Sequence, residues 1–241
     1  MANPLPKKRC PHTPECTFGK SVEWLKEHMK PEDFHESRGS YCSCGNNPLG
    51  PEDYARMHLE RELWDSDLSQ VTADVREPTR KYLERIKTAK ERRIGLYIFG
   101  DTGVGKSGVA AVVLKEARAW GYTAYATTVF DLREAVRARA ALDHEDSVFG
   151  WCRKVDFLLL DDLRLSDIAE KFYTINDIRN LILGRHAEGL VTLITSPVPP
   201  SQWKPSGADG VYGAIEKTCA IISVTGPNRY RIRNEKFDIL K

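Results

Sequence analysis

A chain of 241 residues, 41% apolar and 29% charged, is long enough for one α/β domain of about 150 residues plus a smaller appendage, and fits an ordinary soluble protein. Its formal net charge of +2 excludes an argument for nucleic-acid binding from bulk charge, so local clusters would have to carry one. Apolar runs such as 158–160 are far too short to cross a bilayer and the N-terminus has no apolar signal-peptide core, which excludes a membrane span and makes a cytosolic protein the expectation.

The first stretch of the chain is rich in Pro, Gly, His and Cys. Cys10, Cys16, Cys42 and Cys44 cluster there, whereas Cys152 and Cys219 stand alone in apolar surroundings. In a reducing compartment such clustering points to metal more than to disulfides, and the four thiolates suit tetrahedral Zn²⁺. The first spacing is loose, so His12 and His35 stand as alternate ligands. A segment this poor in apolar residues needs such a site to fold. Residues 21–30 read as a short helix inside it, and Pro51 opens a second reaching about Trp64. The predicted organisation is a small zinc-binding unit over 1–65, a polar linker over 66–77 and a catalytic domain over 78–241. That domain would begin with a basic helix from Pro78 to about Arg93.

From Ile94 the pattern alternates. Strands are predicted at 94–99, 123–127, 157–160, 191–195 and 220–224, with helices at about 106–119, 129–141, 166–185 and 210–218 between them. This is the signature of an α/β fold, a mostly parallel sheet with helices on both faces.

The first strand runs into Gly100-Asp101-Thr102-Gly103-Val104-Gly105-Lys106-Ser107, which matches the phosphate-loop pattern G-x-x-x-x-G-K-[ST] and opens a helix. The glycines let backbone N–H groups turn around phosphates, and the helix N-terminus adds its positive end. Lys106 would reach the β- and γ-phosphates of ATP, and the Ser107 hydroxyl would ligate Mg²⁺. The third strand ends in Asp161-Asp162, 55 residues after Lys106. Asp161 is expected to hold Mg²⁺, and Asp162 to orient or deprotonate the attacking water. An ATPase follows from these residues.

The chain also resembles the AAA+ ATPases, in particular the subgroup of DnaC/DnaI-type replicative helicase loaders and IstB-type transposition helpers. The resemblance covers about residues 70–233. It rests on the helix before Ile94, the phosphate loop, the Gly-Tyr-Thr-Ala-Tyr stretch at 121–125, Leu132, the Leu-Leu-Leu-Asp-Asp-Leu segment, Thr192-Leu-Ile-Thr-Ser196, and 221–231. It implies a polar γ-phosphate sensor at the end of the fourth strand, where Thr195 and Ser196 stand. It also implies a shared-site homo-oligomer with an arginine finger before the last strand. The matching segment, Gly213-Ala214-Ile215, has no cation there; Arg179, Arg185, Arg229 and Arg231 are the substitutes the sequence offers. Turnover is therefore expected to be slow or partner-dependent. The family further implies single-stranded DNA as a partner, with basic clusters at 7–9, 80–93 and 133–139 as candidates.

Three functions follow. The first is a loader that delivers a hexameric replicative helicase onto single-stranded DNA, its zinc unit gripping the helicase. The second is an IstB-like helper of a transposase, suggested by Thr195-Ser196-Pro-Val-Pro-Pro-Ser-Gln-Trp203. The third is a nucleotide-dependent adaptor with little hydrolysis.

Overall fold

The structure is a computed structural model that describes residues 49–139, 148–165, 174–204 and 208–228. The zinc candidates Cys10, His12, Cys16, His35, Cys42 and Cys44, the helix expected at 21–30, and Arg229 and Arg231 lie outside these residues.

Five short strands, β1 (Gly95–Phe99), β2 (Ala124–Thr128), β3 (Phe157–Asp161), β4 (Val191–Ser196) and β5 (Cys219–Ser223), form one parallel sheet in the order β2-β3-β4-β1-β5. Successive residues point to opposite faces, and here both faces are apolar. Leu96, Ile98, Phe157, Leu159 and Leu193 join one core, whereas Tyr97, Leu158, Leu160 and Ile194 join another. The first core is closed by Val109, Val113 and Leu114 of the long helix Lys106–Ala119 and by Val75 and Leu83 of the helix Ala73–Glu84. The second is closed by helices Val129–Arg139, Val148–Lys154, Thr174–Ala187 and Asp209–Thr218 through Leu132, Cys152, Ile182 and Ile215.

In chain order the α-helices are α1 (Pro51–Arg56), α2 (Ala73–Glu84), α3 (Ile86–Glu91), α4 (Lys106–Ala119), α5 (Val129–Arg139), α6 (Val148–Lys154), α7 (Thr174–Ala187) and α8 (Asp209–Thr218). The helix Val148–Lys154 had no counterpart in the sequence reading. The basic helix expected from Pro78 to Arg93 is two helices that start earlier. α2 carries Pro78 in its interior, which removes one backbone donor at a cost of about 3 kcal/mol in an ordinary helix. Burial of Val75, Thr79 and Leu83, one turn apart, offsets that cost. Arg85, at φ −116° and ψ 23°, then separates α2 from α3.

The stretch expected as a linker is packed instead. Leu68, Val71 and Val75 are buried, and the Arg76 guanidinium donates to the Leu68 carbonyl at 2.9 Å and the Val71 carbonyl at 2.8 Å. Residues before position 66 join the same core. Met57 is 1% exposed, and its carbonyl accepts from the Ala126 N–H on β2 at 2.7 Å. The helix that Pro51 opens ends at Arg56, and His58 follows at φ 52°. Lys115 of α4 donates to the Trp64 and Ser66 carbonyls at 2.8 and 2.6 Å, tying this arm to the helix that the phosphate loop opens. The boundary drawn near residue 66 thus falls within packed structure. Among the described residues no helix is long and apolar enough to cross a membrane.

Candidate nucleotide site

In a parallel sheet, ligands sit beyond the carboxyl ends of the strands. β1 delivers the loop 100–107 there, and Gly105, at φ 104°, takes the left-handed turn that starts α4. Lys106, the first residue of that helix, is 8% exposed, and its ammonium donates to the Asp101 carbonyl at 2.8 Å. Burial lowers its pKa, while the nearby Asp162, Asp161 and Asp101 pull it back up. A buried cation held by a carbonyl at the start of a helix is placed for an anion.

β4 lies between β1 and β3, pairing Ile98 with Thr195 on one side and Leu160 with Ile194 on the other. That order sets Thr195 between the phosphate loop and the third strand. The Asp161 carboxylate accepts from the Ser107 hydroxyl at 3.0 Å through one oxygen and from the Thr195 hydroxyl at 2.5 Å through the other. Burial pushes the Asp161 carboxyl up, against the two hydroxyl donors that favour its ionised form. A hydroxyl and a carboxylate in contact offer hard oxygen donors of the type Mg²⁺ takes, so the residues present fit the ion.

Asp162 adopts φ 60°, which the Asp side chain tolerates better than most. Its N–H donates to the Thr195 hydroxyl at 2.8 Å, and its carboxylate accepts from the Arg164 Nε at 2.7 Å. Arg164 is a cation on the loop after the two aspartates that the sequence reading passed over. Its signal was adjacency alone, in Asp161-Asp162-Leu163-Arg164.

The expected sensor pair divides. Thr195 touches Asp161, whereas Ser196 is buried, donates to the Leu163 carbonyl at 2.6 Å and accepts from the Val198 N–H at 3.0 Å. Ser196 holds the turn after β4. The arginine substitutes divide as well. Arg185 is 2% exposed and donates to the Thr192 hydroxyl, the Cys152 carbonyl and the Val191 carbonyl at 3.1, 2.7 and 2.6 Å. Val191 and Thr192 lie at the start of β4, the end of the sheet opposite the phosphate loop, so Arg185 is corrected from a finger candidate to a core residue. Burial lowers its pKa to about 10. Arg179 lies along Gly210 of α8 with its guanidinium on Asn180 Oδ1. Ala214, where an arginine was expected, is buried at 1% exposure.

Arg185→Met is expected to lower stability by about 3 kcal/mol or more, because three buried acceptors lose a charged donor. Thermal unfolding measures it, and an unchanged midpoint would contradict the assignment.

Beside Asp161 opens a cavity of about 470 Å³ whose lining includes His58, Glu60, Tyr125, Thr128 and Asp131. Burial and then the charge of Asp161 push the Glu60 carboxyl up. The arm before α2 therefore forms one wall of the space next to the candidate metal ligand.

No family model matches the chain, and no curated protein matches it. Solved structures do. The crystal structure of DnaI superposes with a TM-score of 0.61 at 24% identity, over 74% of this chain and 99% of that one. The crystal structure of the DnaC helicase loader gives 0.57 at 20% identity, over 69% of this chain and 100% of that one. The fold is that of DnaI and of the DnaC helicase loader. A replication initiator DnaA bound to AMPPCP and single-stranded DNA is more distant, with a TM-score of 0.53 at 18% identity over 73% of this chain and 55% of that one. At these identities the likeness is one of fold.

Proposed function

We propose that the chain is an ATP-driven loader that delivers a hexameric replicative helicase onto single-stranded DNA. The observation that carries the reading is the contact of Ser107 and Thr195 with one carboxylate, Asp161, beside a buried Lys106, on the fold of the helicase loaders. ATP would lie along the loop 100–107, and Mg²⁺, held by Ser107 and Asp161, would neutralise charge on the phosphates. Asp162 would take the proton of the attacking water, Thr195 would sense the γ-phosphate through Asp161, and Lys106 would bind the phosphate oxygens. Single-stranded DNA is a proposed partner in line with the nucleic acid bound by the DnaA neighbour.

One feature favours slow hydrolysis by the isolated chain. Ala214 carries no charge and Arg185 is buried, so neither supplies the cation that stabilises a transferring phosphoryl group. A neighbouring subunit or the partner helicase would complete the site. The N-terminal cysteines would bind zinc and grip the helicase, and the arm at 57–66 would join that unit to α4.

Purification of the tagged chain from its host with ATP and Mg²⁺ tests this. The loader reading expects a hexameric helicase to co-purify and the chain to carry about one zinc ion by metal analysis. Recovery of a transposase in its place, or of no partner at all, would refute it in favour of the helper or the adaptor.

A further inference from the structure

The segment after β5 folds back over the phosphate loop. The Val224 N–H donates to the Phe99 carbonyl at 2.7 Å, and a Cβ on Gly100 would lie 2.1 Å from the Val224 carbonyl oxygen. Thr225 then donates to Asp74 of α2 at 3.2 Å. At the end of this turn the Asn228 side-chain amide donates to the Thr102 carbonyl at 3.1 Å. Its carbonyl oxygen lies against Gly103, where a Cβ would sit 2.4 Å from Asn228 Oδ1, and Gly103 itself is at φ +85°. One side chain thus covers the peptide between Thr102 and Gly103.

A trans peptide is planar, with its C=O and N–H pointing in opposite directions. Holding the Thr102 carbonyl toward Asn228 therefore fixes the Gly103 N–H pointing away from it. We propose that Asn228 is a positioning residue for the nucleotide, contributed from beyond the last strand, that aims the Gly103 N–H at the bound phosphates. The inference rests on the nucleotide reading of the loop. It adds a specific claim: the loop is not organised by its own glycines alone. A donor from residue 228 keeps one amide pre-set, so binding does not have to reorient it. Gly103 is then required twice, for its left-handed backbone and for the space Asn228 occupies.

The test compares wild type with Asn228→Ala, titrating each with Mg²⁺·ATP and with Mg²⁺·tripolyphosphate, which carries the phosphates without base or sugar. The expected result is a loss of about 3- to 10-fold for both ligands, the range of one neutral hydrogen bond. The nucleotide-free variant is expected to unfold at the wild-type temperature. Equal affinities in the two proteins would overturn the inference. A loss confined to ATP would also overturn it, because Asn228 would then act on the base or ribose. Should Asn228→Ala unfold early, Asn228→Asp serves in its place. It keeps the size, removes the donor and adds negative charge, so it is expected to weaken both ligands more than the alanine does, and unchanged tripolyphosphate affinity would refute the proposal. Failure of the wild type itself to bind either ligand would instead refute the nucleotide reading, which separates the two claims.

Discussion

Lys106→Ala is expected to weaken ATP binding by about 100-fold or more, as loss of charged hydrogen bonds to phosphate implies. Lys106 is largely buried, and its ammonium has the Asp101 carbonyl as acceptor. Burial already disfavours its charged form. An arriving phosphate would supply the full negative charge that a carbonyl cannot. Removing the ammonium should leave the fold intact, since it relieves a buried charge rather than opening a packed core. Titration of a fluorescent ATP analogue against both proteins measures the effect, and retained affinity would remove Lys106 from the site.

Asp162→Asn is expected to keep ATP affinity within about threefold while turnover falls about 100-fold or more, the range of a lost general base. Asp162 is half-exposed and paired with Arg164. Ion pairs of that kind are worth little, so the pair opens at small cost when the site fills. The Asp162 N–H bonds to the Thr195 hydroxyl, and this backbone contact survives the substitution. Binding and chemistry should therefore separate. Phosphate release under saturating ATP, measured beside the binding constant, decides it; an unchanged turnover rate would end the proposed role of Asp162.

The parts of the site that lie close together in sequence were legible before the structure. The phosphate loop is a local strand–turn–helix device, and the strand ending in Asp161 announces itself as a four-residue apolar run followed by acid. The alternation of short apolar or β-branched strands with helices made the parallel sheet readable for the same reason. What escaped depends on distant contacts. Leu68 and Val71 stand among polar residues without a period, so nothing local marks them as core, yet they join the core that α4 closes. Arg185 looked available because a helix-end arginine usually is; only the fold turns it inward onto the carbonyls of Cys152 and Val191. Pro78 suggested a helix start by its usual preference, and tertiary burial of Val75 overrode it. Asn228 sits 125 positions after Gly103, inside the 221–231 stretch that carries the resemblance, but nothing in that stretch points to the loop. Its position on the loop needed the turn after β5 to be seen.

The central claim is that nucleotide binding at this site drives helicase loading. The most direct measurement uses a covalently closed single-stranded DNA circle, the hexameric helicase recovered with the chain, ATP and Mg²⁺. Helicase topologically linked to the circle is then counted after a high-salt wash. The account predicts linked helicase with the wild-type chain, and background levels without the chain or with Lys106→Ala. Equal linkage in all three would contradict it.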